Sequence, residues 1–373
     1  MKGHEFIGGS SSLSENKTVV VGMSGGVDSS LTAALLKERG YDVIGVTMRL
    51  ADESRDFVEN DRGCCSLSAV DDARRVCEII GIPHYTMDFQ ALFRKTVIED
   101  FLSEYAKGRT PNPCIRCNRF VKFGGLLTRA FELGANYVAT GHYARIEQNA
   151  SGRWLLKKGI DAQKDQAYAL YHLDQHSLAH FLMPLGDYHK TETRRMAEDR
   201  HLPVAHKPDS QEICFVPDDD YKRYLKEHAP ACLHPGDIVD ADGHVLGHHA
   251  GVPLYTIGQR KGLGIAAEHP LYVVRLDMAK NQVVVGGAED VFAKGLIASD
   301  LNWIAVDEFT KPMNMTAKVR YGKREGAARI EPMEGGRVRV TFAEPQRAVT
   351  PGQSVVFYDG DVVVGGGLID EAL

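Results

Sequence analysis

The chain has 373 residues, 43% of them apolar and 25% charged, a globular composition with material for two or three cores. No apolar run approaches the ~20 residues of a membrane span, and the N-terminus lacks a signal-peptide pattern, so a cytoplasmic protein with no membrane partner is expected. A net charge of −6 excludes a chain that is basic throughout and leaves only local patches for a nucleic acid, while seven cysteines, an odd count, fit reduced thiols rather than a disulfide framework.

Residues 1–16 are polar and rich in Gly and Ser and read as a disordered leader. From 17 to about 145 strand and helix patterns alternate: "KTVVVGM", then "SSLTAALLKERG" closed by Gly40, "YDVIGVTM", "LSAVDDARRVCEIIG" closed by Gly81, and "PHYTMDF". Strands alternating with amphipathic, Gly-terminated helices predict an α/β domain with a doubly wound parallel sheet. Its ligand site belongs at the carboxyl ends of the strands, where the turn at 22–30, the stretch after Met48 and "ATGHY" at 139–143 converge. Helical patterns continue through "KTETRRMAEDRHL" to "CFVPDDD"; beyond about 230 come short β-rich runs separated by Asp-Gly, Gly-Gly and Pro-Gly turns, the texture of antiparallel sheets or a barrel. The predicted division is 17–218, a small mixed or β domain at 219–290, and a C-terminal β-barrel at 291–373.

The turn "GMSGGVDSS" carries the first chemistry. Gly25 and Gly26 let the main chain approach a ligand closely, Ser24, Ser29 and Ser30 bring hydroxyl donors, and the following helix aims its free N–H groups at the same point. Such a cradle binds phosphate. Val27-Asp28-Ser29 lacks the lysine of a Walker A loop, which suits a pyrophosphate that leaves and hence AMP transfer from ATP. Asp28, a carboxylate among phosphates, is a candidate Mg²⁺ ligand.

Sulfur is the second chemistry. Cys114 and Cys117 form Cys-x-x-Cys in a Pro- and Arg-rich loop, and Cys214 stands alone. The pair fits half a zinc site, a redox couple or a sulfur-transfer site. No second Cys-x-x-Cys or spaced His pair completes a zinc site, so no structural metal is expected. Arg109, Arg116 and Arg119 flank the pair and are expected to lower a thiol pKa. Cys64, Cys65, Cys77 and Cys232 read as packed or surface thiols. A third feature is electrostatic: residues 311–347 carry nine Lys or Arg against four Glu, the footprint of backbone contacts to a nucleic acid or of a solvated β face.

"SGGVDSS" after an apolar strand resembles the signature of the PP-loop ATP pyrophosphatase superfamily. Together with "GRTPNPCIRCN", "ATGHYAR", "KDQAYALY", "DSQEICF", "GQRKGLGI" and "PGQSVVFY", the chain from residue 17 onward is similar to the tRNA-specific 2-thiouridylases, the MnmA or TrmU family. That resemblance implies ATP-dependent adenylation of O2 of the wobble uridine (position 34) of tRNA, sulfur delivery to C2 from a cysteine persulfide, and release of AMP and pyrophosphate. It implies ATP contacts at Gly22, Met23, Ser24, Gly25, Gly26, Val27, Asp28 and Ser29, at the Met48 backbone and at Gly141. It makes Cys214 the persulfide carrier and Cys117 its catalytic partner. Cys117 would either resolve the intermediate as a Cys117–Cys214 disulfide, which needs a reductant, or release sulfide as the attacking species. An upstream persulfide carrier protein is implied as sulfur donor. Asn112, Pro113 and Cys114 would lie at the target base, His142, Lys164, Asp165 and Gln166 along the RNA, and Arg320, Tyr321 and Gln353 in the C-terminal contact. Where some relatives place an aspartate at Cys114, this chain has a thiol, so no base is assigned there. Two rival classes share the first domain: a PP-loop ligase acting with nitrogen on a small carbonyl, and a non-catalytic nucleotide sensor.

Overall fold

The computed structural model describes residues 17–50, 67–209, 213–216 and 218–373. Three sheets organise them. The first is parallel, with strand order β3-β2-β1-β4-β7 built from β1 (Thr18–Gly22), β2 (Asp42–Arg49), β3 (His84–Asp88), β4 (Tyr137–Ala139) and β7 (Phe181–Leu182). The β-branched run Val19, Val20, Val21 is wholly buried at its centre, as a strand covered on both faces requires. Helices α1 (Val27–Glu38) and α2 (Leu67–Ile80) follow β1 and precede β3. The chain moves from β1 to β2 on one side while β4 joins on the other, so the exit of β1 is a topological switch point with an open crevice.

Two long helical runs cover the sheet: α3, residues 90–106, and α4, residues 113–132. Each contains a π-helical stretch, Arg94–Ile98 in α3 and Asn118–Gly125 in α4, the latter starting directly after Cys117. Such insertions in an α-helical ladder recur at functional sites. A 3₁₀ turn (Ala167–Leu170), α5 (Gln175–His180) and α6 (Lys190–Asp199) follow, and α7 (Tyr221–His228) leads into the second sheet.

That second sheet, β10-β11-β8-β9, comprises β8 (Gly236–Val239), β9 (Val245–His249), β10 (Tyr272–Asp277) and β11 (Gln282–Gly286). The third runs β12-β15-β14-β13-β16-β17 and closes through β12–β17 pairing into a six-stranded barrel. Its strands are β12 (Phe292–Trp303), β13 (Met313–Lys318), β14 (Gly326–Met333), β15 (Arg337–Arg347), β16 (Ser354–Asp359) and β17 (Val362–Ala372). Period-two patterning explains the barrel wall: in β15, Val338, Val340 and Phe342 point into the core while Arg337, Arg339 and Thr341 face out.

One element crosses the expected order. The hairpin β5 (Ala144–Gln148) and β6 (Trp154–Lys158) leaves the parallel-sheet unit and pairs with β17, with Leu156 opposite Val363. Asp361 fixes the junction, taking Arg145 at 2.6 Å and Lys157 at 3.3 Å. Helix α7, which leads into the second sheet, is stapled to α3 by a stacked Tyr105–Tyr221 pair, and β10 to the barrel by Arg347 lying 4.8 Å over the Tyr272 ring. No helix among the described residues is long and apolar enough to cross a membrane.

Candidate functional site

The loop after β1 is shaped by its own side chains. Gly25 takes φ +66°, a left-handed conformation in which a Cβ would also strike the Ala69 backbone. The Ser24 N–H donates to Ser29 Oγ at 3.1 Å, and Ser29 Oγ and Ser30 Oγ donate to the Gly26 carbonyl at 3.2 and 2.8 Å. Ser29 and Ser30 are buried, and their hydroxyls build the turn. Ser24 alone of the three is exposed. No side chain caps α1 at Gly26, which leaves its first amides and the positive end of its dipole open at the crevice. Gly141, after β4, is packed against this turn: a Cβ there would lie 2.7 Å from the Asp28 carbonyl carbon and 2.8 Å from Ser29 N. The half-buried Met48, one residue from the end of β2, is in register with Met87 of β3, at the same carboxyl edge.

The loop lacks a lysine in sequence but not in space. Lys207 Nζ donates to the Gly25 carbonyl at 3.2 Å and pairs with Asp72 at 2.8 Å. Lys190, at the start of α6 and buried, donates to both Asp28 oxygens at 2.7 Å and pairs with Asp209 at 2.9 Å. Asp209 also takes Lys164 at 2.7 Å and Arg194 at 2.9 Å. Burial pushes the Asp209 carboxyl up, but the hydrogen bonds from Lys164 and Lys190 outweigh it and hold the group below the usual carboxylate range. The Tyr143 hydroxyl donates to Asp28 Oδ1 at 2.8 Å and shares a contact with Thr193 at 2.9 Å; burial and the Asp28 charge push its pKa up, so it stays neutral. Four cations, Lys164, Lys190, Arg194 and Lys207, thus face three carboxylates, Asp28, Asp72 and Asp209. Sequence reasoning missed this cluster because its members lie up to 182 residues from the loop. The one signal was Asp28 itself, a carboxylate beside a phosphate cradle that demands a positive partner. In this structure that partner is Lys190, and a single lysine-bridged carboxylate does not make a preformed Mg²⁺ site.

Cys114 and Cys117 lie at the start of α4. Asn112 caps it, its Oδ1 accepting from Ile115 N at 3.2 Å, and Pro113 occupies the first turn, where its missing N–H costs nothing. Helical phase turns Cys114 outward and Cys117 inward, where it is buried among apolar neighbours. Tyr321 of the barrel stands close enough to Cys114 for burial, Asp165 and the Cys114 sulfur together to raise its phenol pKa. Cys214 is half-buried, and its neighbour Phe215 packs on Phe93 and Phe101 of α3 at ring distances of 5.8 and 5.2 Å. Arg116, next to Cys117, pairs with Asp100 of the same α3 at 2.9 Å. The segments bearing Cys117 and Cys214 therefore rest on one helix.

The arginines expected to activate a thiolate are committed elsewhere: Arg109 to Glu104 at 2.7 Å, Arg116 to Asp100, and Arg119 to Asp300 of the barrel. Cys77 is enclosed and its thiol is pushed up to about 12 by burial, while Cys232 donates to the Ala229 carbonyl at 3.0 Å. Cys64 and Cys65 lie outside the described residues.

Most side chains expected along the RNA are engaged inside the protein. Lys164 holds Asp209, Asp165 accepts from the Gly159 and Ala167 amides at 3.0 and 3.1 Å, and Gln166 Oε1 accepts from Tyr143 N at 2.9 Å. His142 contacts Thr140 Oγ1 at 2.7 Å; burial and Lys122 push it down to about 3, so the imidazole is neutral. Gln353 donates to the Thr110 and Pro111 carbonyls, whereas Arg320 and Tyr321 are exposed beside the Cys114 end of α4.

Comparison with known proteins places this architecture. Residues 17–218 match a family model described as tRNA methyl transferase HUP domain, 222–287 one described as tRNA methyl transferase PRC-barrel domain, and 293–369 one described as Aminomethyltransferase beta-barrel domain. A tRNA-specific 2-thiouridylase MnmA of Halothermothrix orenii is 54% identical over 95% of this chain and 99% of its own length. The chain belongs to the tRNA-specific 2-thiouridylase family. The thiouridylase of that name from Acetivibrio thermocellus is 55% identical over 95% of this chain and 99% of its own. Among solved structures, a 4-thiouridine synthetase–RNA complex with bound ATP covers 58% of this chain and 51% of its own, with 20% identity and a TM-score of 0.35. As a member of the thiouridylase family the chain is an enzyme, and the loop after β1 and the Cys114–Cys117 turn are its candidate nucleotide and sulfur sites.

Proposed function

We propose that this enzyme thiolates the wobble uridine of tRNA at C2, using ATP to activate O2 and two cysteines to deliver sulfur. The observation that carries the reading is the uncapped helix end at Gly26, ringed by Lys190 and Lys207, in the same domain whose helix α3 supports both Cys117 and Cys214.

In this reading the triphosphate lies along residues 22–29, with its charge met by backbone amides, the α1 dipole, Lys190 and Lys207. Adenine sits against the Met48 backbone, and Gly141 leaves room for the loop. Mg²⁺ accompanying ATP would neutralise phosphate charge, with Asp28 the carboxylate of this loop nearest to it. The uridine O2 attacks the α-phosphorus and pyrophosphate leaves. C2 is then open to the terminal sulfur of a Cys214 persulfide supplied by a carrier protein. The Cys117 thiolate attacks Cys214 Sγ, breaking the bond that still joins it to the transferred sulfur, and AMP departs from C2; the resulting Cys117–Cys214 disulfide is reduced by an external dithiol before the next turnover. Asn112, Pro113 and Cys114 border the base. Arg320 and Tyr321 meet the RNA by charge and stacking, with the outward arginines of β15 extending the basic surface. The remaining contacts, at His142, Lys164, Asp165, Gln166 and Gln353, are made through main chain and the polar atoms left over from their internal bonds. A wobble base must be splayed out of the anticodon stack to reach such a pocket.

The test is reconstitution with ATP, Mg²⁺, a persulfide donor and unmodified tRNA, scoring AMP, pyrophosphate and 2-thiouridine. Wild-type protein yields all three. Cys117→Ser and Cys214→Ser bind ATP normally and yield no 2-thiouridine; substantial product from either contradicts the two-thiol scheme.

A further inference from the structure

The Cys114–Cys117 turn is tied to the barrel on both sides, directly ahead of it and through the 3₁₀ turn at 167–170 behind it. Ahead of it, the Thr110 N–H donates to the Pro351 carbonyl at 2.9 Å, and Gln353 Nε2 donates to the Thr110 and Pro111 carbonyls at 2.9 and 3.3 Å. Directly behind it, Asn118, buried, donates through Nδ2 to the Ala169 carbonyl at 3.0 Å. Ala169 belongs to the 3₁₀ turn whose Tyr168 hydroxyl donates to the Ser354 carbonyl at 2.8 Å, and Tyr171 next to that turn shares a 3.0 Å contact with Ser354 Oγ. Tyr168, Tyr171 and Ser354 are all buried. Arg119, two residues past Cys117, adds a bidentate pair with Asp300 of β12.

We propose that the barrel positions Cys117: Gln353 and Ser354 anchor the two flanks of its helical turn, and Asn118, Tyr168 and Tyr171 transmit the second anchor. The proposal rests on Cys117 being the reacting thiol. Its physical content is rotational. Cys114 and Cys117 sit three residues apart, one exposed and one buried, and turning Cys117 outward breaks the Asn118–Ala169 bond on one flank or the Thr110 bonds on the other. These are positioning residues, since none of them reaches the sulfur chemistry itself. The barrel is thereby part of the sulfur site as well as a surface for RNA.

The experiment compares full-length wild type with Tyr168→Phe, Ser354→Ala and Asn118→Leu, following iodoacetamide labelling of each cysteine by mass spectrometry under native conditions. Cys114, exposed on the same turn, is the internal control. Cys117 labelling is expected to rise about fivefold for each buried hydrogen bond removed, with Cys114 changed by less than about twofold. In turnover assays kcat for thiolation falls while KM for tRNA and the ATP affinity stay at wild-type values. Unchanged Cys117 labelling in folded Tyr168→Phe and Ser354→Ala overturns the proposal, and these two mild variants decide it if Asn118→Leu does not fold. A wild type that transfers no sulfur, with variants that show the expected labelling shift, refutes the functional reading and upholds the positioning.

Discussion

Lys190 is the residue whose removal tests the nucleotide site most sharply. Its ammonium lies 2.7 Å from both oxygens of Asp28 and 2.9 Å from Asp209, on a side chain that is only 10% exposed. Lys190→Met keeps the length and apolar stem but leaves Asp28 with the Tyr143 hydroxyl and Asp209 with Lys164 and Arg194. Stripping one partner from a fully buried pair costs about 3–5 kcal/mol. Here Asp28 and Asp209 keep 30% and 23% exposure and other partners, so the stability cost reduces to about 1–2 kcal/mol. ATP loses a charge-assisted contact to phosphate worth about 1.5–3 kcal/mol, which is about 10- to 150-fold in Kd. Calorimetric titration of ATP and a thermal melt separate the two effects. Adding Asp28→Asn to Lys190→Met relieves the exposed carboxylate and recovers stability, while ATP affinity stays low. A folded Lys190→Met protein that binds ATP within about twofold of wild type refutes the assignment.

Gly141→Ala drives a methyl into the Asp28 backbone at 2.7 Å, so the loop shifts at a cost of about 1–3 kcal/mol, and ATP affinity falls while the fold persists; unchanged affinity, measured by the same titration, would disprove the close approach. Acid stability tests the neutral imidazoles. His142, by burial and Lys122, and His172, by burial and Arg119, are each held down to about 3 from 6.5, so between those pH values the unfolded chain binds protons that the folded chain does not, and stability falls as pH falls. The loss between pH 6.5 and 5.5 is about 1 kcal/mol per histidine, and His142→Gln and His172→Gln each flatten the slope of unfolding free energy against pH, measured by denaturant titration, by that amount. A slope identical to wild type in both variants removes the basis for neutral rings.

Local signals carried much of this molecule. A β-branched run leaving through Gly-Gly into a serine-rich helix start is readable because strand, turn and helix cap are each encoded within a few residues, and the period-two runs after 290 show their inward faces in the same way. What escaped is what only tertiary crossing decides. Lys190 reads in isolation as one charge on an amphipathic helix; its role comes from α6 lying across α1 so that Asp28 and Asp209 share it. The arginines around Cys117 read in sequence as bare charges, whereas the fold pairs them with Glu104, Asp100 and Asp300. Ser29 and Ser30 have the right chemistry for phosphate, yet the helical turn points their hydroxyls back at Gly26. The β5–β6 hairpin carries a clear strand pattern, but which sheet it joins depends on Val363 and Asp361 more than 200 residues away.

In the proposed reaction ATP activates the uridine carbonyl itself. Transcribed tRNA carrying ¹⁸O at O2 of the wobble uridine, taken through one turnover with ATP and a persulfide donor, tests it most directly. The label is expected to depart from the base and to be recovered in the phosphate of AMP, one ¹⁸O for each 2-thiouridine formed. Label released into water, with AMP carrying none, contradicts it.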